Sequence, residues 1–169
     1  MSKINCEYLY IRKQTIKGNV VEDDKEALTG MDNKSLTNSL EQNIKIFKEL
    51  LKDDETVNYR EVENKQAVFL KCCVIFVKGM INADVIDEHI IQPIMEVKLD
   101  SITYKDKLNH NTISDILVKK VVNSASLSKK DKFEDLIIQL FYGDTILLID
   151  GSSEAILIET KGWEKRGIE

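Results

Sequence analysis

The run from Ala67 to Val77 constrains this chain more than any other stretch. It is β-branched and aromatic, apolar on nearly both faces, and interrupted by a single charge, Lys71. So much Val and Phe disfavours helix. A strand that is apolar on both faces belongs inside a sheet covered on both sides. Such cover needs a core, and with 43% hydrophobic and 31% charged residues over 169 positions the chain can build one compact domain. One proline, Pro93, and seven glycines exclude collagen-like, Pro-rich and Gly/Ser low-complexity chains. The same run is the longest nearly apolar stretch. It falls well short of the roughly 20 residues of a spanning helix, so no membrane crossing is expected within this sequence. Residues 1–8 lack the apolar segment of a secretory signal.

The neighbouring patterns complete a sheet. Val57 to Val62 alternates as a half-buried strand does, and Glu63 to Gln66 is short enough to make a hairpin with the apolar run. Thr145–Ile149 and Ala155–Ile158 flank the Asp150-Gly151-Ser152-Ser153 turn signal and read as a second hairpin. The expected fold is therefore α/β: a four-stranded mixed sheet built from two hairpins with helices on both faces, a three-layer α/β/α sandwich. Ser35 is a candidate N-cap for a helix carrying Leu36, Leu40, Ile44, Phe47 and Leu51 on one stripe, ending near Asp53 and Asp54. Asn82 caps a second helix with Val85, Ile86, Ile90 and Ile94 on its apolar face, and Pro93 should kink or break it. Thr112 opens a third, with Ile113, Ile116, Leu117 and Val121 on one side. Ser128 to Asp131 resembles a capping box before Phe133, Leu136, Ile137, Leu140 and Phe141, and Gly143 is the expected left-handed stop. Residues 1–34 carry balanced charges and few apolar residues after Ile16, and read as a mobile N-terminal arm before a single domain at 35–169.

Chemistry is sparse. The net charge of −5 argues against a nucleic-acid partner. Cys6, Cys72 and Cys73 are odd in number, and the adjacent pair makes a poor disulfide, so all three read as reduced and the last two as core. No phosphate-binding glycine loop, nucleophile elbow or zinc-binding helix motif occurs. His89 and His110 have no second metal ligand at helical spacing. No metal or other cofactor is therefore expected, and no enzyme. Asp144 and Asp150 could form a catalytic carboxylate pair, but each sits beside a glycine where turn formation accounts for it.

One ordered series carries more. Gly143 to Gly151, Ala155 to Ile158, Lys161-Gly162-Trp163 and Arg166 resemble the N-terminal soluble domain of the A subunit of GerA-family spore germinant receptors. The helix at Asn43–Leu51, the hairpin with Tyr59-Arg60, Phe76 to Met80 and Ile90 to Ile94 fit the same family in order, so the resemblance covers roughly residues 36–169. Where the family often has Asp-Gly after the second strand, this chain has Lys78-Gly79, and an acid-dependent role at that turn does not carry over.

The resemblance implies the first of two α/β subdomains that precede the transmembrane region of a spore inner-membrane subunit. It also implies B and C subunits as partners, self-association through the full-length A subunit, and a role in nutrient-triggered germination signalling and receptor assembly. Direct binding of a small-molecule germinant is the alternative, and a cytosolic enzyme using Asp144 or Asp150 a more distant one. Trp163 and Arg166, an aromatic with an N–H and a planar cation three residues apart beyond the last strand, are the candidate interface residues toward the second subdomain; the competing reading is that Trp163 closes the edge of this domain's own core and Arg166 pairs locally.

Overall fold

The computed structural model describes residues 34–51, 54–64, 70–96, 117 and 127–160. Helix α1 spans Leu40–Leu50, β1 Val57–Glu63 and β2 Lys71–Val77. A helical rod follows, composed of α2 (Ala83–Ile86), a π-helical segment (Asp87–Ile91) and α3 (Gln92–Glu96). Next come β3 (Leu127–Lys130), α4 (Phe133–Phe141), β4 (Asp144–Ile149) and β5 (Ala155–Glu159). The strands form one sheet in the order β1-β2-β4-β5-β3, with every neighbouring pair antiparallel. The connection from β3 through α4 to β4 steps over β5, so β3 and β4 run in the same direction without touching.

Side-chain alternation divides the core into two layers, as the apolar run demands. Cys73, Ile75, Ile146, Leu148 and Leu157 pack on the side of α1 and α4. Cys72, Val74, Leu147, Ile149 and Ile156 pack on the side of the 83–96 rod and Leu117. Helices thus cover both faces. The α1 stripe predicted from spacing is buried at Leu36, Leu40, Ile44, Phe47 and Leu51, and the α4 stripe at Phe133, Leu136, Ile137, Leu140 and Phe141. The rings of Phe47 and Phe133, 4.9 Å apart, join the two helices over the sheet. Gly143 ends α4 with a φ of 91°, the left-handed conformation expected of it.

Several expectations change. The sheet has five strands, not four, and is antiparallel throughout rather than mixed. The fifth strand is Leu127–Lys130, whose C-terminal part reads in sequence as the start of a capping box. Polar residues there take strand geometry because β5 would otherwise leave a row of main-chain groups unpaired at its outer side. As a result α4 starts at Phe133 behind Lys132, with no side-chain cap. Helix α1 starts at Leu40, capped by Ser39 rather than Ser35. Ser35 instead bridges to Lys132, and the Leu36 N–H donates to the Asp131 carbonyl at 2.7 Å. Leu36 is buried at a helical interval from Leu40, yet on extended backbone, because main-chain pairing competes there with helix. Asn82 does cap α2, accepting from the Asp84 N–H at 3.1 Å. Helix continues past Pro93 but changes form beside it: the π-helical segment ends at Ile91 and the short α3 opens at Gln92, one residue before the proline. A proline at 93 leaves the His89 carbonyl without its donor four residues on, and the preceding turn widens to i→i+5 spacing, with the Gln92 N–H reaching Asp87.

Candidate functional site

Two places on the described fold combine polar groups from distant parts of the chain. One is the end of β5. The Thr160 and Thr145 hydroxyls are buried and lie 2.6 Å apart, and the Thr160 hydroxyl also reaches the Gly143 carbonyl at 3.4 Å. The Thr160 carbonyl accepts from the Asn82 N–H at 2.9 Å. Residue 160 is therefore tied to the cap of α2 on one helical layer and to the end of α4 on the other. Trp163 and Arg166, the candidate interface residues, lie outside the described residues, as do His110, Cys6 and the 1–33 part of the expected arm.

The second place is a groove of about 920 Å³ between α1 and the ends of β1 and β2. Glu41, Lys45, Lys48 and Glu49 line its helix wall, and Glu61, Glu63 and Lys71 its sheet wall. Lys71 lies 3.3 Å from Glu63, directly across the β1–β2 ladder. Lys48 sits 5.4 Å above the ring of Tyr59. Burial, with smaller contributions from Cys73 and Asp54, pushes the Tyr59 phenol up to about 12, so it stays neutral and cannot serve as a base near neutral pH. Its hydroxyl is buried and makes no hydrogen bond among the described residues. Cys73 is pushed up to about 12, first by burial and then by Glu61, against the opposing pull of Lys48 and the Arg60 backbone. Burial raises Cys72 further. Both are core thiols rather than nucleophiles.

Asp150 closes one end of the groove, and its role is positional. Its Oδ1 accepts from the Leu40 N–H at 3.2 Å, its own N–H donates to the Lys71 carbonyl at 2.9 Å, and the Gly151 N–H donates to the Asn38 carbonyl at 2.8 Å. The β4–β5 turn thus holds the first turn of α1. Asp144 stands at the other end of β4, roughly 20 Å away at about 3.4 Å per residue, so the two carboxylates cannot act as a pair on one substrate. His89 is exposed on the π-helical segment. Among the described residues no group of three metal-ligating side chains converges, and no helix is long and apolar enough to cross a membrane. Sequence reasoning missed both the Thr145–Thr160 contact and the groove. Their members are separated by tens of residues, and no local spacing marks them.

Comparison with known proteins gives a consistent answer. The family profile described as Bacillus/Clostridium GerA spore germination protein matches residues 45–169. Spore germination protein GerLA of Bacillus cereus is 29% identical over 101 residues, which is 60% of this chain and 19% of GerLA. Spore germination protein KA of Bacillus subtilis is 27% identical over 131 residues, 78% of this chain and 23% of that protein. The chain thus spans about a fifth of the length of these relatives. The crystal structure of the N-terminal domain of the A subunit of the Bacillus megaterium spore germinant receptor GerK3 shares the fold, with a TM-score of 0.55 and 21% identity. The likeness covers 77% of this chain and 49% of that one.

Proposed function

The chain belongs to the GerA family of spore germination proteins, and from that premise we propose that it is a non-catalytic signalling and assembly module of a germinant receptor A subunit. The observation that carries this reading is the extent of the family match, which runs from within α1 through every later element. The GerK3 domain supports a more particular version, because this fold corresponds to about half of it. In that version the chain is the first of two subdomains that precede a membrane region, and it meets the second subdomain and the other receptor subunits.

Trp163 and Arg166 are then the residues that seat the second subdomain. They follow Thr160, whose bonds to both helical layers fix where the chain leaves the sheet. An indole and a guanidinium are the side chains that most often anchor interfaces. In the full-length receptor, Trp163→Ala or Arg166→Ala should impair nutrient-triggered germination of spores while the 169-residue chain keeps its circular dichroism spectrum. Normal germination with both variants at normal receptor levels would remove the interface role.

A further inference from the structure

We propose that the outer edge of β1 and the groove beside it receive an extended peptide segment with basic side chains at alternate positions, added to the sheet as a further strand. This goes beyond the germination reading and does not depend on it.

The Lys78 N–H donates to the Thr56 carbonyl at 2.8 Å, and the Asn64 N–H to the Leu70 carbonyl at 3.1 Å. The ladder between them pairs Val57 with Val77 through to Glu63 with Lys71. Hydrogen-bonded pairs alternate along an antiparallel ladder. The even-numbered residues of β1 therefore bond to β2, and Tyr59, Glu61 and Glu63 turn their N–H and C=O groups outward. The odd-numbered Val57 is already engaged, since its N–H reaches the Asp54 carbonyl at 3.3 Å. Among the described residues no strand pairs with this edge.

The groove supplies the specificity. A strand added at β1 places the residues opposite Tyr59, Glu61 and Glu63 on the α1 side, where the groove lies. Val62 and Cys72 also line it, although their side chains belong to the opposite core, so the groove reaches the main chain of β1 and β2. Its walls hold five carboxylates against three lysines. Lys71 is occupied by Glu63 and Lys48 by Tyr59, and Glu61 has no ion pair among the described residues. Lys or Arg opposite Glu61 and Glu63, with an apolar or aromatic residue opposite Tyr59, matches that pattern. Recognition of this kind takes affinity from main-chain bonds and selectivity from alternate side chains.

A second copy of this chain fits less well. The two-fold antiparallel registers that overlap most of β1, centred on Arg60 or Glu61, set like charges directly opposite, which is unfavourable. The charges that keep β1 from pairing with itself thus select a basic strand.

The test uses the 169-residue chain and a peptide of about eight residues with Lys alternating with Val, beside a control with Glu in place of Lys. Amide hydrogen exchange is followed residue by residue. At about millimolar peptide, the Lys peptide should protect the Tyr59, Glu61 and Glu63 amides and the Glu peptide should not. Glu61→Lys should weaken the Lys peptide roughly tenfold and improve binding of the Glu peptide, with the β2–β4 amides as protected as before. The proposal is overturned if the Lys peptide protects none of the three amides, or if both peptides protect them equally. It is also overturned if they are protected before any peptide is added, through another segment or a second copy.

Discussion

The two edges of the sheet are built on opposite plans. At one side β3 has only four residues, and the chain beyond it stays engaged: Ser35 bridges to Lys132, Leu36 donates to Asp131 and Phe133 donates to Lys34. At the other side β1 runs for seven residues with no neighbour beyond it among the described residues. The β3 edge is polar in sequence and short, and main-chain pairing continues just beyond it through residues 131–133. The β1 edge alternates clearly in sequence and presents Arg60, Glu61 and Glu63 to solvent, with Arg60 paired to Asp87 on the rod. An edge can be managed either by continued main-chain pairing or by charge. Among the described residues the short edge continues its main-chain pairing past its end, and the long edge relies on charge.

The largest effect should come from the helix that links β3 to β4. Leu136 and Ile137 are 0% and 1% exposed, and Leu136→Ala or Ile137→Ala should each cost about 2–5 kcal/mol in a chemical-denaturation experiment. An unchanged midpoint in both variants would mean that α4 does not pack its buried face on the sheet.

A pair of prolines then separates the two sides of β1 itself. Val62→Pro removes an N–H assigned to the β2 ladder and should destabilise by roughly 3 kcal/mol. Glu61→Pro removes an outward N–H and should cost less than about 1 kcal/mol. Equal losses would show the parity to be wrong, and with it the open edge.

The smallest effect is a pH dependence at the same edge. The Tyr59 phenol ordinarily ionises near 10 and is raised to about 12 here, chiefly by burial. The folded chain then holds a proton that the unfolded chain has lost, so this contribution is complete below pH 10 and disappears as the pH rises toward 12. Tyr59→Phe should flatten that part of the stability profile and leave the profile below pH 9 nearly unchanged, as far as the tyrosine itself contributes. Ultraviolet difference titration should show that Tyr59→Phe removes a phenol that ionises above pH 10 in the folded parent.

Elements defined by their own residues were readable in advance. The two-sided run at 67–77 predicted a covered sheet, and Cys73 and Ile75 on one layer with Cys72 and Val74 on the other confirm it. Asn82 caps α2 through its side chain, and Gly143 stops α4 with the positive φ that the lack of a Cβ allows. Elements defined by what lies beside them were not. Leu127–Lys130 is a strand only because β5 offers it a ladder, and Leu36 is extended only because Asp131 is within reach. β propensity at an edge expresses pairing and packing more than intrinsic preference, so a Ser-Lys-Lys sequence carries little strand signal of its own.

The same division holds for the site. Asp150 beside Gly151 was correctly seen as a turn residue, but its second duty, accepting from Leu40 across 110 positions of sequence, required the fold. Hydrophobic pattern, charge and the family series were enough to determine by themselves a covered α/β domain of the GerA family, since burial periodicity and turn chemistry act over a few residues at a time. The tertiary structure alone decided the fifth strand, the antiparallel order, the widened turn before Pro93, the joining of Thr145 to Thr160, and the place of β1 at one edge of the described sheet. Each of those depends on groups that meet only after the chain has closed its core, where a buried donor or acceptor must find a partner regardless of how far away in sequence that partner lies.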